Sequence, residues 1–140
     1  MEINSLGWNS RLSSSFELLG SVENLVPARV IVGQRELCTV LCAQGEFLAE
    51  VSGRYRREAF GASDYPVVGD WVAVTPRPSD ARATIHALLP RTGAFVRKAA
   101  GQARAQEQVV AANIDTALII MGLDHDFNVR RLERYLTLAW

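Results

Sequence analysis

The decapeptide NIDTALIIMG, from Asn113 to Gly122, is apolar on both of its alternating faces. Successive side chains of a strand point to opposite sides, so such a segment requires cover on both. The next segment, LDHDFNVRRLERYLTLAW, has a helical period. Val129, Leu132, Tyr135, Leu136 and Ala139 fall on one helical face, and Asn128, or Asp126 just before it, is placed to cap the N-terminus. A two-sided strand followed by an amphipathic helix is a βα unit, and such units belong to parallel sheets covered by helices. One unit cannot make a sheet. The expectation is that residues 113–140 are the first strand and helix of an α/β domain whose remainder lies outside this sequence.

Upstream the period is two. ARVIV ends at the turn GQRE, LCTVLCA runs to the hairpin signal QG, and EFLAEVS comes after it. Gly53 marks a bend, after which RYRREAF continues the strand. GASDYP is a loop, VVGDWVAV a strand with Gly69 early in it, TPRPSDA a loop by composition, and RATIHALL a last strand closed by Pro90. Five short strands joined by tight turns solve their edge problem by closing. The fold class is therefore mainly β: residues 27–92 are predicted to form a closed antiparallel five-stranded OB-fold barrel, with an SH3-like barrel as the alternative. Residues 1–26 read as an N-terminal extension, in which a short helix would dock through Leu6, Trp8, Leu12 and Phe16, weakened by three consecutive serines. Residues 93–112 read as a basic linker, with EQVVAAN a short helix or turn.

Charge is distributed unevenly beneath a net value of zero. Residues 1–26 carry one basic and three acidic side chains, residues 27–112 eleven and eight, and residues 113–140 three and four. Lys98 is the only lysine among fifteen basic residues. Arginine binds phosphate in a bidentate manner and stacks on bases, so the bias suits RNA; a GC-rich genome would produce the same bias without that meaning.

Cys38 and Cys42 share a face of one strand about 13 Å apart, too far for a disulfide, and are expected as reduced thiols. No apolar run approaches the roughly 18 residues of a membrane helix, and MEINSLGWNS has neither the basic nor the apolar region of a secretory signal. No membrane partner and a cytoplasmic location are the expectation.

In order along the chain, LGWN, PARVIV, GEFLAEVSGRYRREA, YPVVGDWVAV, IHALLPR, AFVRKAAG and QVVAANIDTALIIMGLDHDFNVRRLERYLTLAW resemble the N-terminal part of the small ribosomal subunit biogenesis GTPase family (RsgA/YjeQ). The resemblance covers nearly the whole chain. It implies an OB-fold, then a circularly permuted GTPase domain, then a zinc-binding domain. GTP, magnesium and zinc are implied for full-length members, and the small ribosomal subunit with its ribosomal RNA is the implied partner; no DNA partner is expected. Neither NKxD nor a GxxxxGK[ST] loop occurs in the 140 residues. Without that loop's amides and lysine nothing here is organised to hold a triphosphate and its metal, so no cofactor and no catalytic activity are expected of this chain.

The residues expected to contact RNA fall in three groups. RTGAFVRKAAGQAR holds Arg91, Arg97, Lys98 and Arg104 with no acid among them and with Phe95 interleaved; the alternative is a solvated linker. Where the family pattern has a second basic residue and a serine after LPR, Thr92 and Gly93 stand. GRYRREAF offers Arg54, Arg56 and Arg57 with Tyr55 and Phe60. On a strand Arg54 and Arg56 would share one face, and the alternative is an edge charged against aggregation with Tyr55 in the core. Arg35 stands at the tip of the first turn, a place the family uses to reach into the subunit. A barrel that binds a protein or a small ligand without RNA is the competing function.

Overall fold

The computed structural model describes residues 2–20, 24–33, 37–98, 107–125 and 127–139. Five strands, β1 (Val26–Gly33), β2 (Leu37–Cys42), β3 (Gly45–Val51), β4 (Trp71–Arg77) and β5 (Arg82–Leu88), close in the order β1-β2-β3-β5-β4, the OB-fold barrel expected. One expectation needs correction. The barrel is not antiparallel throughout, because β3 pairs parallel with β5 from Leu48↔Arg82 to Val51↔Ile85. Chain length explains it: a helical crossover separates β3 from β4, and β5 returns antiparallel to β4, which leaves its direction along β3.

Strand alternation fills the interior. Val30, Val40, Phe47, Val72, Val74 and Ile85 point inward among small neighbours such as Ala28, Ala49 and Ala83. Cys38 and Cys42 are both buried here, as their two-residue period requires, and neither forms a disulfide. β4 differs from its neighbours in that Trp71, Val72, Ala73 and Val74 are all buried. Val72 and Val74 face the barrel core, whereas Trp71 faces a second cluster with Leu12 and Leu89.

That second cluster is the docking site of helix α1 (Ser10–Glu17). Leu12 is buried, and Leu6, Trp8 and Phe16 pack around it, the four residues expected to dock the extension. Asn9 caps the helix by accepting from Leu12 N at 3.1 Å. The serines do not break it: Ser14 and Ser15 hydroxyls donate to the carbonyls four residues back, at 3.1 and 3.0 Å. Trp8 meets Trp71 edge-on with centroids 4.9 Å apart. The extension is therefore an outer wall of β4.

Three segments differ from expectation. GRYRREAF does not continue β3; Gly53–Glu58 is a helix, α2. Ser52 Oγ accepts from Tyr55 N at 3.1 Å and starts it, and Arg54 and Glu58 pair one turn apart at 2.8 Å. TPRPSDA is only partly a loop, because β4 runs on through Arg77 before a 3-10 turn at Pro78–Asp80. The basic linker is instead a hairpin of β6 (Ala94–Lys98) and β7 (Glu107–Ala112), paired from Ala94↔Ala112 to Lys98↔Glu107.

Of the βα unit, the helix forms as expected: α3 spans Val129–Ala139, with Asn128 Oδ1 accepting from Arg131 N at 3.1 Å. The strand half does not. No ladder includes residues 114–122, and Leu118 and Ile120 stand 84% and 88% exposed. A strand exists only through its neighbours' hydrogen bonds, and among the described residues none lies alongside. No helix among them is long and apolar enough to cross a membrane.

Candidate nucleic-acid interface

Helix α2 lies between β3 and β4 in the chain and rests on the barrel through β5 and Tyr55. Its Arg54, Arg56 and Arg57 are exposed, while Tyr55 turns inward. Arg54 is tied to Glu58, which raises its pKa first by a hydrogen bond and then by charge. The pair is solvated and contributes little. Arg56 and Arg57 form no ion pair among the described residues. Tyr55 is no base platform, since its hydroxyl donates to Asp64 O and its ring meets Tyr65 edge-on with centroids 6.4 Å apart. Burial, then the charge of Asp70, pushes the Tyr55 hydroxyl up to about 12, so it is neutral under ordinary conditions.

On the hairpin, Arg97 is exposed and donates to Gln108 Oε1 across the ladder at 3.2 Å. Lys98 comes next to it in β6. Arg35 and Arg104 lie outside the described residues.

Arg91 is not a free cation. Its Nε donates to Asp70 Oδ1 at 2.8 Å, and Nη2 donates to Asp70 Oδ2 at 2.7 Å and to Tyr65 O at 3.1 Å. Nη1 donates to Ser63 O at 2.8 Å. With four of its five N–H donors occupied, this guanidinium is a structural clamp on the only buried charged residue among those described, Asp70, which also accepts from Val67 N at 2.8 Å. The hydrogen bond to Asp70 is the main cause that raises the Arg91 pKa. The positive field credited to RTGAFVRK thus loses one of its charges.

The Asp70 turn also holds the hairpin. Gly69 has φ +90°, and a Cβ there would lie 1.9 Å from Ala112 O, so only glycine permits the approach. Ala112 N donates to Val68 O at 2.9 Å. Asn113, in the left-handed region at φ 53°, completes the junction. Its Oδ1 accepts from Thr92 N and Thr92 Oγ1 at 2.8 and 3.0 Å, and its Nδ2 donates to Gly69 O at 3.0 Å. Its carbonyl accepts from Arg29 Nη2 at 3.0 Å, while Arg29 Nη1 reaches Leu6 O and its guanidinium lies 5.8 Å from the Trp71 ring centroid. Extension, barrel and hairpin are therefore joined at one point. Sequence reading missed Arg29 and Asn113 here; VGDWV, with a Gly-Asp turn, was the available signal.

The donor set does not suit the groups the resemblance implies. No group of three or more His, Cys, Asp or Glu able to hold a metal exists among the described residues, and no glycine-rich loop ends in Lys-Ser or Lys-Thr.

A family model described as RsgA GTPase matches residues 88–140. Over 99% of its length the chain is 44% identical to "Small ribosomal subunit biogenesis GTPase RsgA" of Opitutus terrae, covering 40% of that protein. It is 41% identical to the protein of the same name from Syntrophotalea carbinolica, covering 39% of it. The chain thus spans about two fifths of these relatives. Among solved structures, YjeQ from Thermotoga maritima aligns over 82% of the chain with a TM-score of 0.56 at 19% identity, covering 37% of that chain. YloQ, described as a circularly permuted GTPase, aligns over 83% with a TM-score of 0.53 at 19% identity, again covering 37%. At that identity the likeness shows the fold.

Proposed function

We propose, from the premise that this chain belongs to the RsgA family of small ribosomal subunit biogenesis GTPases, that it is an RNA-binding module which seats such a GTPase on the small ribosomal subunit. The observation that carries the reading is where the cations stand. Arg56, Arg57 and Arg97 are exposed on elements other than the five barrel strands, while of the nearby acids Asp70 is buried and paired with Arg91 and Glu58 is paired with Arg54. Exposed arginines beside a sequestered acid leave a net positive surface, which phosphate backbones bind. GTP binding and hydrolysis belong, in this reading, to the length of the relatives that this chain does not span.

Alanine at both Arg97 and Lys98, and separately at both Arg56 and Arg57, tests the reading by titration against small subunits and their RNA. Each phosphate that the variant no longer neutralises should lower the slope of log affinity against log salt by about 0.7–0.9. Affinity and slope unchanged in both variants, with the barrel folded, would overturn the RNA role and favour a barrel that binds protein or a small ligand.

A further inference from the structure

Phe60 is 103% exposed, more than any other large apolar side chain among the described residues. Scattered exposed apolar residues are ordinary. Phe60 differs in its support and its company. Its own N–H and that of Gly61 both donate to Asp64 Oδ2, at 2.8 and 3.0 Å, and Asp64 N returns to Gly61 O at 3.1 Å. The Asp64 carbonyl is held by the hydroxyl of Tyr55, whose ring packs on the barrel core. The backbone beneath Phe60 is thus pinned from two sides, and its ring projects into water.

Its neighbours in the chain are charged or small. Arg56 and Arg57 stand in the last turn of α2, Glu58 ends that helix, and Ala59, Gly61, Ala62 and Ser63 flank Phe60. The nearby acids are engaged: Glu58 pairs with Arg54, and Asp64 Oδ2 accepts the two amides. A protein-binding hot spot sits within a rim of further apolar groups that exclude water, and from Ala59 to Asp64 Phe60 is the one large apolar residue. An aromatic face flanked by arginines is instead how single-stranded nucleic acid is held, the base on the ring and the backbone on the cations.

We propose that Phe60 is a stacking platform for one unpaired base of RNA, with Arg56 and Arg57 on the phosphates beside it. The site lies on the connection between β3 and β4, off the barrel strands. Phe60 is three positions beyond Arg57, at most about 11 Å between Cα atoms, so a base on the ring brings its own phosphates within reach of α2. This rests on the RNA-binding reading above and narrows it to single-stranded RNA at this loop.

The test is fluorescence anisotropy with a mixed-sequence single-stranded RNA of about a dozen nucleotides and the same sequence as a duplex, a length within single-strand site sizes. Phe60→Ala should bind the single strand about five- to a hundredfold more weakly, with the salt slope kept, because stacking releases no counterions. Duplex binding should not change, Phe60→Trp should restore the single-strand affinity, and Phe60→Leu should not. Equal losses on both probes, or full rescue by leucine, would overturn stacking. No loss on the single strand, while alanine at Arg56 and Arg57 still weakens it, would overturn stacking and leave the RNA reading standing. Normal binding to free RNA with a loss only on intact subunits would assign Phe60 to a protein contact, and overturn the proposal. A wild-type chain that binds neither RNA would remove both readings together.

Discussion

Replacing Asp70 by alanine removes the acceptor at the centre of the barrel-to-hairpin turn. Three bonds disappear: two from Arg91, at 2.8 and 2.7 Å, and one from Val67 N at 2.8 Å. Removing one partner of a buried ion pair costs about 3–5 kcal/mol, mostly because the other charge is left without compensation. Arg91 keeps the carbonyls of Ser63 and Tyr65, and its side chain is 18% exposed, so water reaches it in part. The lower end of the range, about 3 kcal/mol, is therefore expected. For a domain of this size that is a fall in Tm of roughly 10 °C. Circular dichroism melts of Asp70→Ala, Arg91→Ala and the double variant give the coupling. The double variant should be less destabilised than the sum of the singles by at least about 1.5 kcal/mol. Arg91→Ala should be the worse single change, because it strands a carboxylate that is fully buried. A loss below about 1 kcal/mol for Asp70→Ala, with additive effects, would refute the clamp and return Arg91 to the candidate phosphate ligands.

Gly69→Ala should cost at least about 3 kcal/mol or detach the hairpin, because the new Cβ meets Ala112 O and the φ is positive; loss of hydrogen-exchange protection at the Ala112 amide reads this out. Asn113→Ala should cost about 2–4 kcal/mol, since it removes three side-chain bonds and leaves alanine in the left-handed region, measurable by urea unfolding. Tyr55, held up to about 12, is raised above its unfolded value; the folded state then binds the extra proton, so stability is whole below about pH 10 and is lost as pH rises towards 12. Tyr55→Phe should flatten that alkaline slope in melts taken across the window. Calorimetry of this chain with GTP and magnesium should show no micromolar site, and a magnesium-dependent one would overturn the division of labour proposed here.

The barrel was legible because its strands are covered mainly on one side, so period two survives in the sequence from Val26 to Leu88. The docking of α1 was legible through Leu12 and Trp8 for a related reason: large apolar residues in a polar stretch need a place to go. Helix α2 was not legible, since six residues are too few to distinguish a period of two from 3.6. Its nature was decided by the Ser52 cap and by the inward turn of Tyr55. The hairpin was hidden by its basic composition and by a pairing that spans Ala94 to Ala112. Among the site residues, charge could be counted but pairing could not. Arg91 looked like its neighbour Arg97 until Asp70, 21 residues away, was placed beside it. Composition alone cannot tell a clamped arginine from a free one.

The central claim is that this chain binds a polyanion through exposed arginines. The direct measurement is the affinity of the unmodified chain for small ribosomal subunits across about 50–200 mM monovalent salt, a range over which a protein bound to phosphates loses affinity steeply. If Arg54, Arg56, Arg57, Arg97 and Lys98 neutralise about three to five phosphates, the log–log slope should be roughly −2 to −4. A slope near zero with binding intact would contradict it, because a partner recognised without phosphates releases no counterions.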